Sequence, residues 1–184
     1  MKIKNIYGWL FFIPVALLFL AACDAENEYT NIRANFSFTP VTSSPVLNNA
    51  LNNPGEYCTI TAQDKAYYFQ NAQKRTDKVN FTAVNNYKAN IMGLGGFIAG
   101  KTNIPDPSTG NFVLVSFDRV CPNCDQDYHI NKALVLQENG IAYCEKCRRH
   151  YDMNNLGIVV DSTGVKLYRY LIAYGNNALV ITNR

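Results

Sequence analysis

Apolar and polar positions alternate with a period of two through most of the chain, and helical periodicity is weak. Asn35–Thr39 and Glu56–Thr61 alternate, while Lys65–Gln70 and Phe112–Phe117 are rich in aromatic and β-branched residues. Val165–Tyr174 sets Val165, Leu167, Arg169 and Leu171 against Lys166, Tyr168, Tyr170 and Ile172, and Ala178–Thr182 forms a last run. Turn formers separate these runs: Asn53-Pro54-Gly55, Pro105–Gly110, Asn139-Gly140, Ser162–Gly164 and Gly175–Asn177. Short strands at this spacing predict an all-β fold, an antiparallel sandwich or small barrel. One short helix is expected over Val46–Asn53. No internal repeat or linker divides the chain.

The first residues have a different texture. Lys2 and Lys4 precede an apolar run from Ile6 to Leu20, interrupted by Pro14. That run is shorter than the roughly twenty residues of a membrane-spanning helix. It ends in Leu20-Ala21-Ala22-Cys23, small residues followed by a cysteine, which looks like a bacterial lipobox with Cys23 as the lipidated residue. The expected organisation is a lipoprotein signal peptide over 1–22, an acidic tether over 23–34 and one β domain over 35–184. Asp24, Glu26 and Glu28 read as a solvated tether. Acidic residues here resemble inner-membrane retention signals in some bacteria and surface-display signals in others, and outer membrane or cell surface is the favoured expectation.

Charge narrows the partners. The whole chain carries 17 Lys and Arg against 14 Asp and Glu. Without Lys2 and Lys4 the balance is 15 to 14, a net charge of +1. So even a balance offers no electrostatic reason to expect nucleic acid.

Two Cys-x-x-Cys knuckles carry the strongest chemical signal. Cys121-Pro122-Asn123-Cys124 and Cys144-Glu145-Lys146-Cys147 stand nineteen residues apart. Each supplies two sulfurs from one tight turn, and two such turns close a tetrahedral shell around one ion. Between them, Leu134–Gln137 and Ile141–Tyr143 flank Glu138-Asn139-Gly140, and Asn-Gly is a favoured hairpin turn. The hairpin can fold the knuckles back to back.

In this arrangement the chain resembles a Rieske-type domain, whose two cluster loops are also joined by a hairpin. Phe117–Pro122 resembles the approach to the first loop. Cys144–Asp152 matches the second, with Cys147 in a histidine position and Tyr151 and Asp152 at the matching offsets. Gly157 and the run Leu171–Val180 continue the likeness. Both histidine ligands of that family are replaced: Asn123 stands at the first position and Cys147 at the second. His129 and His150 fall outside the ligand pattern. Histidine ligation raises the potential of a Rieske centre, so this resemblance implies the fold without its redox property.

Three occupants compete for the thiols. Zinc suits four thiolates in a closed structural site and is the favoured reading. The basic neighbours Lys146, Arg148 and Arg149 would offset its negative charge, with His150 beside them. A single iron or a two-iron two-sulfur cluster also accepts four cysteines. Export would favour two disulfides instead, linking Cys121 or Cys124 to Cys144 or Cys147. A thioredoxin-like redox pair is not expected, because neither a helix N-terminus nor an α/β context is visible. Cys58 alternates with Ile60 and Ala62 and reads as a buried apolar thiol.

Gly93–Gly100 is glycine-rich but lacks the spacing of a phosphate loop, and a close strand crossing or bulge is the better reading. No local spacing suggests a catalytic set. The expectation is an exported, membrane-tethered lipoprotein of the cell envelope with a non-catalytic binding or structural role. The rival is an electron carrier serving an unidentified envelope or redox partner.

Overall fold

The computed structural model describes residues 28–85 and 89–183. The segment expected to be a signal peptide, and Cys23, lie outside the described residues. Two antiparallel sheets make up the fold. The nine strands of the larger are β1 (Ala34–Phe38), β2 (Tyr57–Gln63), β3 (Ala66–Asn71), β4 (Thr76–Asn80), β5 (Ile91–Met92), β6 (Phe97–Pro105), β7 (Phe112–Asp118), β12 (Arg169–Gly175) and β13 (Ala178–Thr182). They run in the order β4-β3-β2-β6-β7-β12-β13-β1-β5 and curl into a half-barrel. The smaller sheet holds β8 (Val135–Leu136), β9 (Ile141–Tyr143), β10 (His150–Asp152) and β11 (Ile158–Val159), ordered β11-β10-β9-β8. The all-β expectation holds.

Alternation builds two cores on opposite faces of the larger sheet. Inside the curl, Phe36, Phe38, Cys58, Ile60, Tyr67, Phe69, Phe97, Tyr170 and Ile181 are buried together. Edge-on ring pairs lock this core: Phe36 to Tyr67 at 5.5 Å and Phe97 to Tyr170 at 5.2 Å between centroids. On the outer face, Tyr57, Ile98, Val115 and Phe117 meet Leu134, Leu136, Ala142, Tyr151 and Met153 of the smaller unit. Strand β2 therefore sends Cys58 and Ile60 one way and Tyr57 the other, and β6 divides Phe97 and Ala99 from Ile98 in the same manner.

The expected short helix is α1 (Pro45–Asn52), which caps the first core with Leu47 and Leu51. Its start has a local cause. Ser44 accepts from the Leu47 amide at 3.1 Å, and Pro45 occupies the first turn, where no amide hydrogen is needed. Asp77 of β4 accepts from Ser44 Oγ at 2.9 Å and from the Val46 amide at 2.7 Å, tying the helix to the sheet edge.

The glycine-rich stretch is a turn followed by a strand, and it approaches its neighbours closely. A Cβ at Gly100 would lie 2.3 Å from the Glu56 carbonyl and 2.4 Å from the Tyr57 ring. The register against β7 also shifts between Lys101 and Pro105. The close approach lies within the glycine-rich stretch, and the register shift follows just after it.

Three local differences have physical reasons. Strand β4 was not foreseen, because it is a polar edge strand alternating exposed and half-buried residues. The penultimate strand begins at Arg169 and not at Val165. Val165 is held instead by Asn123, whose Oδ1 accepts from the Val165 amide at 3.1 Å. The Leu167 amide donates to the Gly157 carbonyl at 2.9 Å, which buries Leu167 in the second core. Finally, the described part of the expected tether is seated on the domain. Glu28 pairs with the Arg169 guanidinium, Tyr29 lies 5.1 Å from it, and the Thr30 amide donates to the Arg169 carbonyl at 2.8 Å. No helix among the described residues is long and apolar enough to cross a membrane.

Candidate metal centre

The two knuckles sit on different supports. Cys121 precedes a seven-residue helix, α2 (Pro122–Tyr128), with Pro122 in its first turn. The Cys121 amide donates to the Lys132 carbonyl at 2.8 Å, and its carbonyl accepts from the Asp125 amide at 3.0 Å. The helix stops at His129, an exposed residue with a left-handed φ of 53°. The first knuckle thus does stand at a helix N-terminus, contrary to expectation. Pro-Asn-Cys-Asp reads as a turn in sequence, and the helix is too short to show a period. The surrounding fold is all-β, so the thioredoxin context remains absent.

The second knuckle is the tip of the β9–β10 hairpin. The Cys144 amide donates to the Arg149 carbonyl at 3.0 Å, and the Arg148 amide donates back to the Cys144 carbonyl at 2.8 Å. Arg148 adopts φ 61° to close this turn. The Asn139-Gly140 hairpin forms between β8 and β9 as expected, with both residues at positive φ and the Gln137 amide donating to the Ile141 carbonyl at 2.8 Å.

These supports bring the four sulfurs to one point. Cys121 Sγ is 3.6 Å from Cys147 Sγ, and Cys124 Sγ is 3.5 Å from Cys144 Sγ. All four lie within 4.8 Å of one another. An ion bound to thiolates at about 2.3 Å with tetrahedral angles sets its sulfurs about 3.8 Å apart. A disulfide needs about 2.05 Å, and all four cysteines are free thiols. The disulfide alternative is therefore not the arrangement adopted. Three of the four sulfur-bearing residues are fully buried, and Cys147 is half-buried.

The surroundings treat the thiols unequally. Burial pushes Cys121 up to about 11, against the pull of the Tyr151 hydroxyl and the Cys124 amide. Burial also raises Cys124, reinforced by Cys144. At Cys147 burial again acts upward, but the Arg149 amide and guanidinium together with the neighbouring thiols outweigh it, leaving Cys147 at about 7. Arg149 is the one basic neighbour of the expected set whose side chain reaches a sulfur. Lys146 instead lies over the Tyr128 ring at 5.8 Å. Arg148 is exposed and contributes its backbone. His150 Nδ1 is 2.6 Å from Asp161, and its ring stacks on Tyr143 at 4.6 Å.

Three contributors escaped the sequence reading. Tyr151, expected only as an aromatic at the right offset, is fully buried and puts its hydroxyl 3.1 Å from Cys121 Sγ. Asn123 donates to that hydroxyl at 2.8 Å and to the Val165 carbonyl at 3.0 Å. Lys132 pairs with Glu145 at 2.9 Å and places its charge near Cys124 and Cys144. A tyrosine among otherwise apolar core positions was the available signal for the first. Lys132 had none.

The arrangement can hold one ion in a closed shell of four protein ligands, with hydrogen-bond donors and a cation aimed at the sulfurs. Searches of family models, curated proteins and solved structures found no match to this chain.

Proposed function

We propose that this chain is an exported, lipid-anchored domain in which Cys121, Cys124, Cys144 and Cys147 hold a structural zinc ion. One observation carries the reading: four sulfurs from two knuckles converge within 4.8 Å, close to the spacing of a tetrahedral thiolate shell. All four positions are taken by protein, so no open site is left for a substrate, and the role that follows is structural. Zinc with four thiolates carries a net charge of −2, and Arg149, Lys132 and the Tyr151 hydroxyl offset that excess. The closest contacts run between the knuckles and the shell is one ion wide, which argues against a two-iron cluster, whose bridging sulfides would hold its ligand pairs farther apart.

The second reading is a single iron in the same shell, serving electron transfer to an envelope redox partner. The hydrogen bonds to sulfur favour it, because such bonds tune the potential of iron–thiolate centres. In both readings the paired loops support kinship with Rieske-like domains that have exchanged their cluster for another site.

Metal analysis and a visible spectrum of the purified protein separate them. One zinc per chain in a colourless protein is the expected result, and a coloured protein with one iron replaces it with the carrier. Protein without metal after growth and purification in zinc-supplemented buffer sinks both. For the anchor, Cys23→Ser is expected to release the protein from the membrane fraction. Continued membrane association removes the lipid from the proposal.

A further inference from the structure

A cavity of about 480 Å³ is bordered by the glycine turn, and none of the cysteines lines it. Thr61 and Gln63, two apart on β2, form one wall. Ala62, Asn90, Met92, the turn Gly93–Gly96 and Arg119 form the rest. Among the described residues Arg119 is the one charged residue of this lining, and no carboxylate shares it.

The hydrogen-bond accounts of this wall do not close. Arg119 Nε is buried with no acceptor. Its charged neighbour, Asp118, is already engaged: Oδ2 accepts from the Leu94 amide at 2.7 Å and the Tyr170 hydroxyl at 2.8 Å, and Oδ1 accepts from the Val120 amide at 2.8 Å. Nε has no exposed surface, so a ligand in the cavity would meet the guanidinium through its terminal nitrogens, which have no hydrogen-bond partner among the described residues. The neighbouring amides cannot supply a phosphate cradle. Those of Leu94 and Gly95 point to Asp118, and that of Gly96 donates to the Met92 carbonyl at 3.0 Å. What remains is a planar guanidinium fork with the Gln63 amide and Thr61 hydroxyl nearby, and the apolar Met92 and Leu94 at the edge. The fork binds carboxylates and phosphates alike, but a single cation without an amide cradle balances the one charge of a carboxylate and not the two of a phosphate.

We propose that this cavity binds a carboxylate on a small neutral body, with Arg119 as the anchoring cation and Gln63 and Thr61 as supporting donors. The site does not depend on what the cysteines hold.

The test is a titration of the isotopically labelled, metal-loaded domain followed by NMR, with N-acetylalanine as the carboxylate probe. Saturable shifts are expected at the Arg119 Nε–H group and at the amides of Thr61 and Gly93–Gly96, within concentrations on the order of 10 mM. N-acetylalaninamide, which lacks the charge, is expected to leave them in place. In Arg119→Gln, with metal content unchanged, affinity is expected to fall at least about tenfold, the loss of one charge-assisted hydrogen bond. Equal shifts with the amide, stronger shifts with inorganic phosphate, or an unchanged titration in folded Arg119→Gln would each overturn the proposal. If that variant does not fold, Gln63→Ala at an exposed position decides: weaker binding supports the site, and unchanged binding removes it.

Discussion

The Tyr151 hydroxyl stands 3.1 Å from the sulfur of Cys121, and Asn123 donates to the same oxygen at 2.8 Å. With an acceptor site on the oxygen filled by Asn123, the phenolic hydrogen is directed at the sulfur. The contact joins the second core to the candidate ion shell through one buried ring.

Tyr151→Phe keeps that ring and deletes the O–H···S bond. Affinity for zinc is expected to fall about 10- to 100-fold, the usual cost of losing a partner to a ligand. Competition with a chromogenic chelator measures it. An unchanged affinity would show that the bond is incidental.

Removal of the proposed ion is expected to divide the protein. The first core is built from β1, β2, β3, β6, β12, β13 and α1 and contains none of the four cysteines. The second holds three of them among its buried residues. Chelation, or Cys124→Ala, should therefore abolish hydrogen-exchange protection in β8–β11 while β2, β3 and β13 stay protected. Uniform loss of protection would contradict the separation.

Gly100→Ala places a methyl group 2.3 Å from the Glu56 carbonyl, a backbone atom that cannot swing away. A loss of about 1–3 kcal/mol is expected in denaturant unfolding, as for other overpacked sites. Gly175→Ala, which meets nothing within 4 Å, is the control and should change little. Equal effects at the two positions would rule out the steric account.

Asp161 supplies a pH-dependent contact beside the second knuckle. The hydrogen bond from His150 holds its carboxyl below the ordinary value of 3.8. A depressed folded value means that the contribution is present above the unfolded value and is lost as pH falls through the folded one. Asp161→Asn should cost under about 1 kcal/mol near neutrality, the usual worth of an exposed pair. The difference from the parent should vanish in acid below the carboxylate range. Denaturant midpoints of both proteins across that range test this, and a gap that widens toward low pH would reverse the assignment.

Period-two patterning was enough to read most of the fold. Ala178–Thr182 is β13 to the residue, and the Asn139-Gly140 turn forms the expected hairpin. The pattern did not mark β6, whose glycine-rich start reads as a turn or crossing, nor β10 and β11, which are too short to show a period. Other missed elements have their signal in tertiary partners. Asp77 sits in an edge strand whose alternation is polar throughout, and its purpose is visible only where it meets Ser44. Helix α2 is seven residues long and begins in a sequence that also makes turns. At the site, the knuckle spacing was sufficient to find the four sulfurs. It could not show that Arg149, rather than Lys146 or Arg148, faces them, because the three are consecutive or nearly so and only the left-handed turn at Arg148 decides their directions.

Strands β2 and β6 are buried on both faces where they pair, Tyr57–Ile60 against Phe97–Gly100, so neither has a tolerant side there. A slip of one residue would send Cys58 toward the cysteine-bearing core and Tyr57 into the packed aromatics of the half-barrel. Insertions and deletions are thus better placed in the exposed connection 107–111. The strand alignment is specified twice, once by each core, and a chain that mispairs while folding is penalised from both sides.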